Sequence, residues 1–426
     1  MGNIRKGGEP SAFYRWMVLL VISLAMMGSY YIYDSISPLA DLLKKDLHFS
    51  DSNLGTLNAI YSIPNIFMVL IGGIIIDRIG TKRSSVIFGL LVMVGSFITA
   101  LNGSLFGMAT GRLIFGLGAE SMNVAITTSI ARWFKGKELS FAFGLNLTVA
   151  RLGSFLALNS PFWAEGLYAH WQGPLLITMV AGVITLLTLV IYYFLDWYAE
   201  RNFTLAKEGS QDKILISDIL KFGKSFWFIT FLCVTFYAAM FPFQTFAIKF
   251  FQEAHGVSRQ FAGFLSSLLT LAAMVFTPLF GLLSDRIGKR SLLMMFGSAL
   301  IIPVYLLMAY THISLYIPMG IMGIAFSLVP AVMWPSVAIV VDSSKLGTAY
   351  GLMTMIQNIG LAGFNLLIGW ANDYSQASAV HPAGYHLGMW IFSACGFLGL
   401  FFAFMLRASE RSNSHGLEVG TLHANK

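Results

Sequence analysis

Long apolar runs separated by short polar segments make up most of the chain. Twelve such runs are centred near residues 25, 65, 92, 118, 150, 183, 237, 271, 300, 328, 358 and 397. Each is roughly 18 to 28 residues long, and an α-helix needs about 20 apolar residues to cross the hydrocarbon core of a bilayer. The pattern therefore predicts an all-α membrane protein with twelve transmembrane helices and no soluble domain.

The longest polar stretch between two runs covers 196–224 and carries five lysine and arginine residues. It separates the first six predicted spans from the last six. We predict a cytoplasmic N-terminus over 1–15, an N-terminal six-helix bundle over 16–195, a cytoplasmic linker over 196–224, a C-terminal six-helix bundle over 225–407 and a cytoplasmic tail over 408–426.

The composition agrees with a bilayer as the solvent, since 56% of the residues are hydrophobic and only 11% are charged. A net charge of +7 would suggest a nucleic-acid partner in a soluble protein, but here the basic residues flank the ends of the spans. The side opposite the termini retains little more than Lys44, Lys45 and Arg259. The positive-inside rule therefore predicts that both termini are cytoplasmic.

No cofactor or metal site is expected. Cys233 and Cys395 both fall inside apolar runs, and none of the eight histidines falls within a predicted span. The expected partners are the lipid bilayer, a small-molecule solute and, in one alternative, protons. We expect no nucleic-acid partner, and we expect a monomer in a cell inner membrane.

Two loop motifs recur at equivalent positions of the two halves. The first reads GGIIIDRIGTKRS from Gly72 and the second FGLLSDRIGKRS from Phe280; KELSFAFGL from Lys137 is likewise echoed by SKLGTAYGL from Ser344. These loops resemble the signature of the major facilitator superfamily. The resemblance implies two pseudo-symmetric six-helix bundles, with a solute site at their interface near the middle of the membrane.

The loop motifs also supply candidate gating residues. A carboxylate near helix ends can pair with an arginine and with a helix N-terminus, so the pairs Asp77 with Arg78 and Asp285 with Arg286 are candidates for a cytoplasmic latch. The alternative is that these loops only set the topology. Arg112 begins RLIFGLG, which resembles the superfamily's fourth-helix arginine motif, and both gating and structural bracing stay open for it.

Glu120 and Arg151 are the charges that fall deepest inside predicted spans. Each lies about 11 residues from the cytoplasmic end of its helix, or roughly 16 Å at a rise of 1.5 Å per residue, which is near the midplane. A charge at this depth costs about 2.5 to 3.5 kcal/mol and usually faces a water-filled cavity. The pair forms either a structural ion pair or a site for a zwitterion, in which Glu120 binds an ammonium group and Arg151 a carboxylate.

Further candidates for binding the solute lie on the helices that line the cavity in this fold. Asn358 occupies the position of Arg151 when the repeats are aligned. Lys249 lies near the outer end of the seventh span, where its long side chain can also reach the interface. The complete set of predicted substrate-binding residues is Glu120, Arg151, Tyr33, Tyr61, Tyr237, Lys249, Trp334 and Asn358.

Longer segments in both halves resemble one subfamily, the lysosomal dipeptide uniporters. They include GSYYIYD (28–34), GRLIFGLGAES (111–121), WFKGKEL (133–139), ARLGS (150–154) and LGTAYGLMTMIQNIGLA (346–362). The resemblance implies uniport of dipeptides, with Glu120 and Arg151 holding the two termini of the peptide. The subfamily's long N-terminal extension with a lysosomal sorting signal is absent, so we expect a bacterial relative.

The sequence thus predicts an alternating-access transporter of small zwitterions, above all dipeptides, working by uniport or with proton coupling through Glu120. The alternatives are a transporter of amino acids, organic anions, siderophores or drugs, and a receptor or scaffold that binds without transport. An enzyme is not expected, because no loop combines a nucleophile, a base and an orienting group.

Overall fold

The computed structural model describes residues 8–134, 138–204, 222–342, 345–413 and 416–420. Most of the predicted linker (205–221) and the ends of the chain (1–7 and 421–426) lie outside the described residues. Lys137 and Ser344, which begin the second repeated motif, lie outside them as well.

The described chain is almost entirely helical. A bilayer core offers no hydrogen-bond partners, so the backbone groups of a spanning segment must pair with each other, as they do in an α-helix. Short 3₁₀ turns cover Ser37–Leu39, Glu165–Ala169 and Pro382–Tyr385. The α-helices are α1 (Ala12–Asp34), α2 (Ala40–Leu47), α3 (Asp51–Ile79), α4 (Thr81–Leu101), α5 (Leu105–Trp133), α6 (Leu139–Leu158), α7 (Ser160–Trp163), α8 (Gln172–Asn202), α9 (Lys224–His255), α10 (Arg259–Ile287), α11 (Arg290–Tyr310), α12 (Tyr316–Val340), α13 (Leu346–Tyr374) and α14 (His386–Asn413).

Within the described residues, eleven helical segments are long and apolar enough to cross a membrane. The helix α3 adds a twelfth span, although its parts Asp51–Met68 and Ile71–Ile79 are bent by 55°. The prediction of twelve transmembrane helices is therefore confirmed. The short helix α7 lies between spans, whereas α2 forms the end of the first helical segment, Ala12–Leu47.

Large apolar side chains cover much of the protein surface, whereas in a soluble protein most of them are buried. Phe106 is 84% exposed and Phe162 is 76% exposed, and exposed leucine, isoleucine and phenylalanine side chains recur along α4, α8, α10 and α14. Because lipid tails are as apolar as these side chains, this surface is compatible with a bilayer and not with water.

The residues cluster into two compact units. The first contains Met1–Ser35, Ile63–Ala157 and Gly166–Gln211, and the second contains Ile36–Ser62, Leu158–Glu165 and Asp212–Lys426. These units differ from the predicted bundles, since two segments of the N-terminal half belong to the second unit.

Direct contacts explain this difference. Ser37 Oγ donates to the Gln244 carbonyl of α9 at 2.6 Å. A Cβ atom on Gly263 of α10 would lie 2.2 Å from the Leu158 carbonyl oxygen, so the backbones touch there. The ends of the N-terminal spans therefore pack on C-terminal helices.

The helix α8 continues past the predicted start of the linker at residue 196 and ends at Asn202. Its polar end is held by ion pairs, because Arg132 of α5 lies 3.1 Å from Asp196 and 3.0 Å from Glu200. Hydropathy predicts only where the apolar run ends, near residue 196. The ion pairs stabilise the polar residues beyond it, so the helix continues to Asn202.

The end of the described chain folds back onto the turn between α10 and α11. The amides of Lys289 and Arg290 donate to the carbonyls of Glu418 and Leu417 at 3.2 and 3.1 Å, and Leu417 is fully buried. Gly288 has a φ of 63°, and a Cβ atom there would lie 2.4 Å from the Glu418 carbonyl oxygen. The predicted tail therefore includes a segment packed against the second loop motif.

Candidate solute-binding site

In the first unit, α1 and α6 approach each other closely enough to bring Arg151 beside Tyr30. A Cβ atom on Gly153 of α6 would lie only 2.0 Å from the Met27 carbonyl oxygen of α1, so only glycine permits this contact. The Arg151 guanidinium consequently lies 5.6 Å from the centre of the Tyr30 ring, a cation–π distance.

Glu120 lies about midway along α5 and is half-buried, as is Arg151 on α6. Both charges interact electrostatically with the hydroxyl groups of Tyr30 and Tyr33 on α1. The structure therefore brings the two charged residues predicted from helix depth to one polar region, which is bordered by two tyrosines. An ion pair between them and a site for a zwitterion both agree with these shared neighbours.

Asp34 adds a carboxylate to this region that was not among the predicted site residues. It is the last residue of α1, and the guanidinium groups of Arg151 and Arg112 interact electrostatically with it. The signal in the sequence was its spacing of four residues from Tyr30, which places both on one face of α1.

Arg112 of α5 is 1% exposed and braces the end of α1. Its Nη1 donates to the carbonyls of Ile32 and Tyr33, both at 3.3 Å. Its guanidinium also lies 5.7 Å from the Tyr33 ring centre and 5.4 Å from that of Phe115. Because the last carbonyls of a helix lack intrahelical partners, these contacts support the bracing role for Arg112.

In the second unit, the predicted residues Tyr237 and Trp334 belong to an aromatic cluster. Trp334 Nε1 donates to the Tyr237 hydroxyl at 3.0 Å, and the Tyr350 hydroxyl donates to the Trp334 carbonyl at 3.1 Å. The Tyr237 ring stacks on Phe241 with centres 5.4 Å apart. Tyr350 and Phe241 are thus members of the cluster that the sequence did not single out.

Two other predicted residues of the second unit are buried. Tyr61 is 9% exposed and Asn358 is 5% exposed. The Asn358 amide nitrogen donates to the Thr354 carbonyl one turn earlier on α13 at 3.0 Å. Direct contact of either residue with a solute stays a prediction.

Lys249 of α9 is fully buried, and its ammonium group lies 2.6 and 2.7 Å from the two carboxylate oxygens of Asp51. Glu253, one turn further along α9, lies 3.5 Å away. In this conformation carboxylates of the protein therefore neutralise the charge of Lys249, and its binding to a solute stays a prediction.

Apart from Arg112, the predicted gating residues lie at the loop motifs. Asp77 and Arg78 are exposed at the end of α3, and Arg286 is exposed at the end of α10. Asp285 lies 2.9 Å from Arg290, an arginine of the same loop motif.

A model of the Major Facilitator Superfamily matches residues 19–247 and 231–423. The chain belongs to the major facilitator superfamily. Within it, the lysosomal dipeptide transporter MFSD1 of Homo sapiens is 33% identical over 426 residues, covering 96% of this chain and 89% of that protein. The protein of the same name from Danio rerio is 32% identical, and the match covers 97% of this chain and 91% of that protein.

Solved structures of this superfamily share the fold. A mutant of the nucleoside transporter NupG superposes with a TM-score of 0.74 at 15% identity, covering 92% of this chain and 99% of that one. A bacterial homolog of the human lysosomal transporter Spinster, in an inward-facing and occupied conformation, superposes with a TM-score of 0.72 at 16% identity. The match covers 94% of this chain and 98% of that one. The family match and the relatives confirm the predictions of a multi-pass membrane transporter and of a transporter as opposed to an enzyme, and the solved structures confirm the fold.

Proposed function

We propose that this major facilitator transporter carries dipeptides or similar small zwitterions across the membrane by alternating access. The observation that carries the proposal is that Glu120 and Arg151 both interact with Tyr30 and Tyr33 in the first unit. A dipeptide presents an ammonium group at one end and a carboxylate at the other. Its two ends match a glutamate and an arginine, and the relatives in Homo sapiens and Danio rerio are named dipeptide transporters.

The two charged residues have different tasks in this proposal. Glu120 accepts hydrogen bonds from the ammonium group of the peptide, and Arg151 donates two parallel hydrogen bonds to its carboxylate. A hydrogen bond to a charged group contributes about 1.5 to 3 kcal/mol, so losing one contact weakens binding by about 10- to 150-fold. The tyrosine hydroxyls supply further donors and acceptors around the peptide bond.

The proposed location is a cell inner membrane, with both termini cytoplasmic and the protein monomeric. The distribution of lysine and arginine supports this orientation, because the positive-inside rule counts these residues in short loops. Both uniport and proton symport agree with a carboxylate at Glu120. Uptake measured with and without a pH gradient distinguishes them, since only symport accelerates along an inward proton gradient.

The test pairs peptide analogues with matched variants in proteoliposomes. Acetylating the amino end of the dipeptide removes its ammonium group, and amidating the other end removes its carboxylate. Wild-type protein should bind both analogues about 10- to 150-fold more weakly. In Glu120→Gln the penalty for acetylation should disappear while that for amidation persists, and Arg151→Gln should give the reverse pattern.

Glu138→Gln is the matched control, because the Glu138 side chain is 55% exposed and lies at the start of α6. It should leave both penalties at their wild-type size. If Glu120→Gln keeps the full penalty for acetylation, Glu120 does not bind the ammonium group and the proposal is wrong. Single amino acids carry the same charges closer together, so including them in the assay tests the amino-acid alternative directly.

A further inference from the structure

A buried cluster of charges joins helices of both sequence repeats within the second unit. Its centre is the pair of Asp51, the first residue of α3, and Lys249 of α9, whose side chains are both fully buried and in contact at 2.6 Å. We call the region around this pair the far face. It comprises 36–55 and the ends of α9 and α13 at His255 and Tyr374, and it lies where α1 has ended and α3 begins.

The end of α13 also caps the start of α3 at the far face. The Asp373 carboxylate accepts hydrogen bonds from the backbone amides of Asp51 and Ser52, both at 2.8 Å. These amides belong to the first turn, whose donors have no partners inside the helix, and a carboxylate there also interacts favourably with the helix dipole. The C-terminal repeat thus supplies the cap of an N-terminal helix.

The backbones of α3 and α13 are in direct contact here. A Cβ atom on Gly55 of α3 would lie 2.3 Å from the Asn365 carbonyl oxygen, and one on Gly369 of α13 would lie 2.5 Å from that of Asp51. The far face is therefore closed tightly in this conformation.

Each member of the central pair also has a second partner within its own repeat. Lys44 of α2, in the N-terminal repeat, lies 3.9 Å from Asp51. Glu253 of α9, in the C-terminal repeat, lies 3.5 Å from Lys249 and accepts a hydrogen bond from the Tyr385 hydroxyl at 2.6 Å. If the repeats separate at the far face, each charge can therefore stay paired, Asp51 with Lys44 and Lys249 with Glu253.

This arrangement suits a contact that forms and breaks repeatedly. A buried ion pair is a poor way to gain stability, because apolar residues of similar size pack as well without the cost of removing charges from water. Apolar residues would however be exposed to water whenever the face opened. Separating two charges costs much less when each charge regains water and keeps a partner within its own repeat.

We propose that Asp51 and Lys249 form a latch that closes the far face and opens in each transport cycle, with Lys44 and Glu253 taking over the separated charges. Alternating access requires contacts between the repeats to form and break on each face in turn. The latch needs no particular solute, so the inference stands independently of the proposed transport of dipeptides.

Opening of the far face can be measured through Ser37, which is 7% exposed and donates to the Gln244 carbonyl of α9. We would place the variant Ser37→Cys in proteoliposomes and follow its reaction with a membrane-impermeant thiol reagent, subtracting the reaction of protein without this substitution. Asp51→Asn and Lys249→Met, each combined with Ser37→Cys, should raise the labelling rate about 10-fold or more, because each removes the charged contact between the repeats while the remaining charge keeps the partner in its own repeat.

Two further variants separate a latch from a purely structural pair. Glu253→Gln leaves the pair of Asp51 and Lys249 intact but removes the partner that receives Lys249 on opening, so labelling should become slower than in the parent. The double variant Asp51→Leu with Lys249→Met should return the rate to the parental value or below. A structural pair predicts that Glu253→Gln has no effect or speeds up labelling.

Asp41→Asn is the matched control, because it breaks the partly exposed ion pair of Asp41 with Arg259 at the same face. Such pairs contribute little, so labelling should change by less than about fivefold. An unchanged rate in both Asp51→Asn and Lys249→Met, in protein that stays monodisperse, would overturn the latch. Should these variants not fold, Glu253→Gln decides alone, since it keeps the buried pair, and a rate equal to or above the parental one refutes the proposal.

Discussion

Gly153 of α6 provides a test of how the candidate site is positioned. Replacing it with alanine adds a Cβ atom 2.0 Å from the Met27 carbonyl oxygen and 2.9 Å from the Met27 carbonyl carbon. Because nonbonded atoms do not approach this closely, α6 must move away from α1 by about 1 Å, which is the scale at which overpacking costs about 1 to 3 kcal/mol. Arg151 is two residues away and should move with the helix relative to Tyr30.

We therefore expect Gly153→Ala to weaken dipeptide transport severely. A misplacement of about 1 Å can reduce the rate of a positioned reaction by about 100-fold, and we expect a loss between about 10- and 100-fold here. The assay is uptake of a labelled dipeptide into proteoliposomes, together with thermal unfolding in detergent. The melting temperature should fall, although alanine favours a helix over glycine by about 1 kcal/mol.

Gly144→Ala is the matched control, since it makes the same change in the same helix where no atom lies within 4 Å of the added Cβ atom. It should leave transport unchanged and raise the melting temperature slightly. Equal transport by Gly153→Ala and Gly144→Ala would refute the reasoning that contact of α6 with α1 positions Arg151.

Three other substitutions have defined outcomes. Arg112→Gln should lower stability by about 2 to 5 kcal/mol in denaturant unfolding, because the buried carbonyls of α1 lose charged donors; a loss below 1 kcal/mol contradicts the bracing role. Gly369→Ala should speed labelling of Ser37→Cys, whereas Gly363→Ala, which meets no atom, should not; equal rates contradict tight closure of the far face. Leu417→Asp should accelerate hydrogen exchange at the Lys289 and Arg290 amides, but exposed Val419→Asp should not, and slow exchange in both variants contradicts docking of the tail.

The position of a charge along its helix can be counted directly from the sequence. Glu120 and Arg151 interrupt long apolar runs, and a helix rises by a constant 1.5 Å per residue, so counting residues places both near the midplane. The structure indeed brings both to the same two tyrosines. The fold was predictable for a similar reason, because span length and repeated loop motifs are local properties of the chain.

Contacts between distant segments could not be predicted in this way. Asp51 and Lys249 are separated by 198 residues, and nothing in either local sequence identifies the other as its partner. The same limit explains the difference between the predicted bundles and the compact units, since the packing of 36–62 on C-terminal helices depends on these contacts. It also explains the end of α8, where pairing with Arg132 outweighs the loss of hydropathy.

Burial distinguishes two kinds of charged residue inside the spans that look alike in the sequence. Lys249 was predicted to bind the solute together with Arg151, although Lys249 lies near the outer end of its span and Arg151 about midway along its predicted span. Arg151 is only half-buried beside the Tyr30 ring, whereas Lys249 has no exposed surface and contacts both oxygens of one carboxylate.

A charge that binds a solute has to keep some access to water, since otherwise the solute would have to displace an internal partner at a cost of several kcal/mol. A charge that holds two repeats together has the opposite requirement, because water at the contact would weaken it. The exposure of a charge within a span therefore distinguishes a residue that can bind a solute from one that holds two repeats together, and this distinction supports the proposed roles of Arg151 and Lys249.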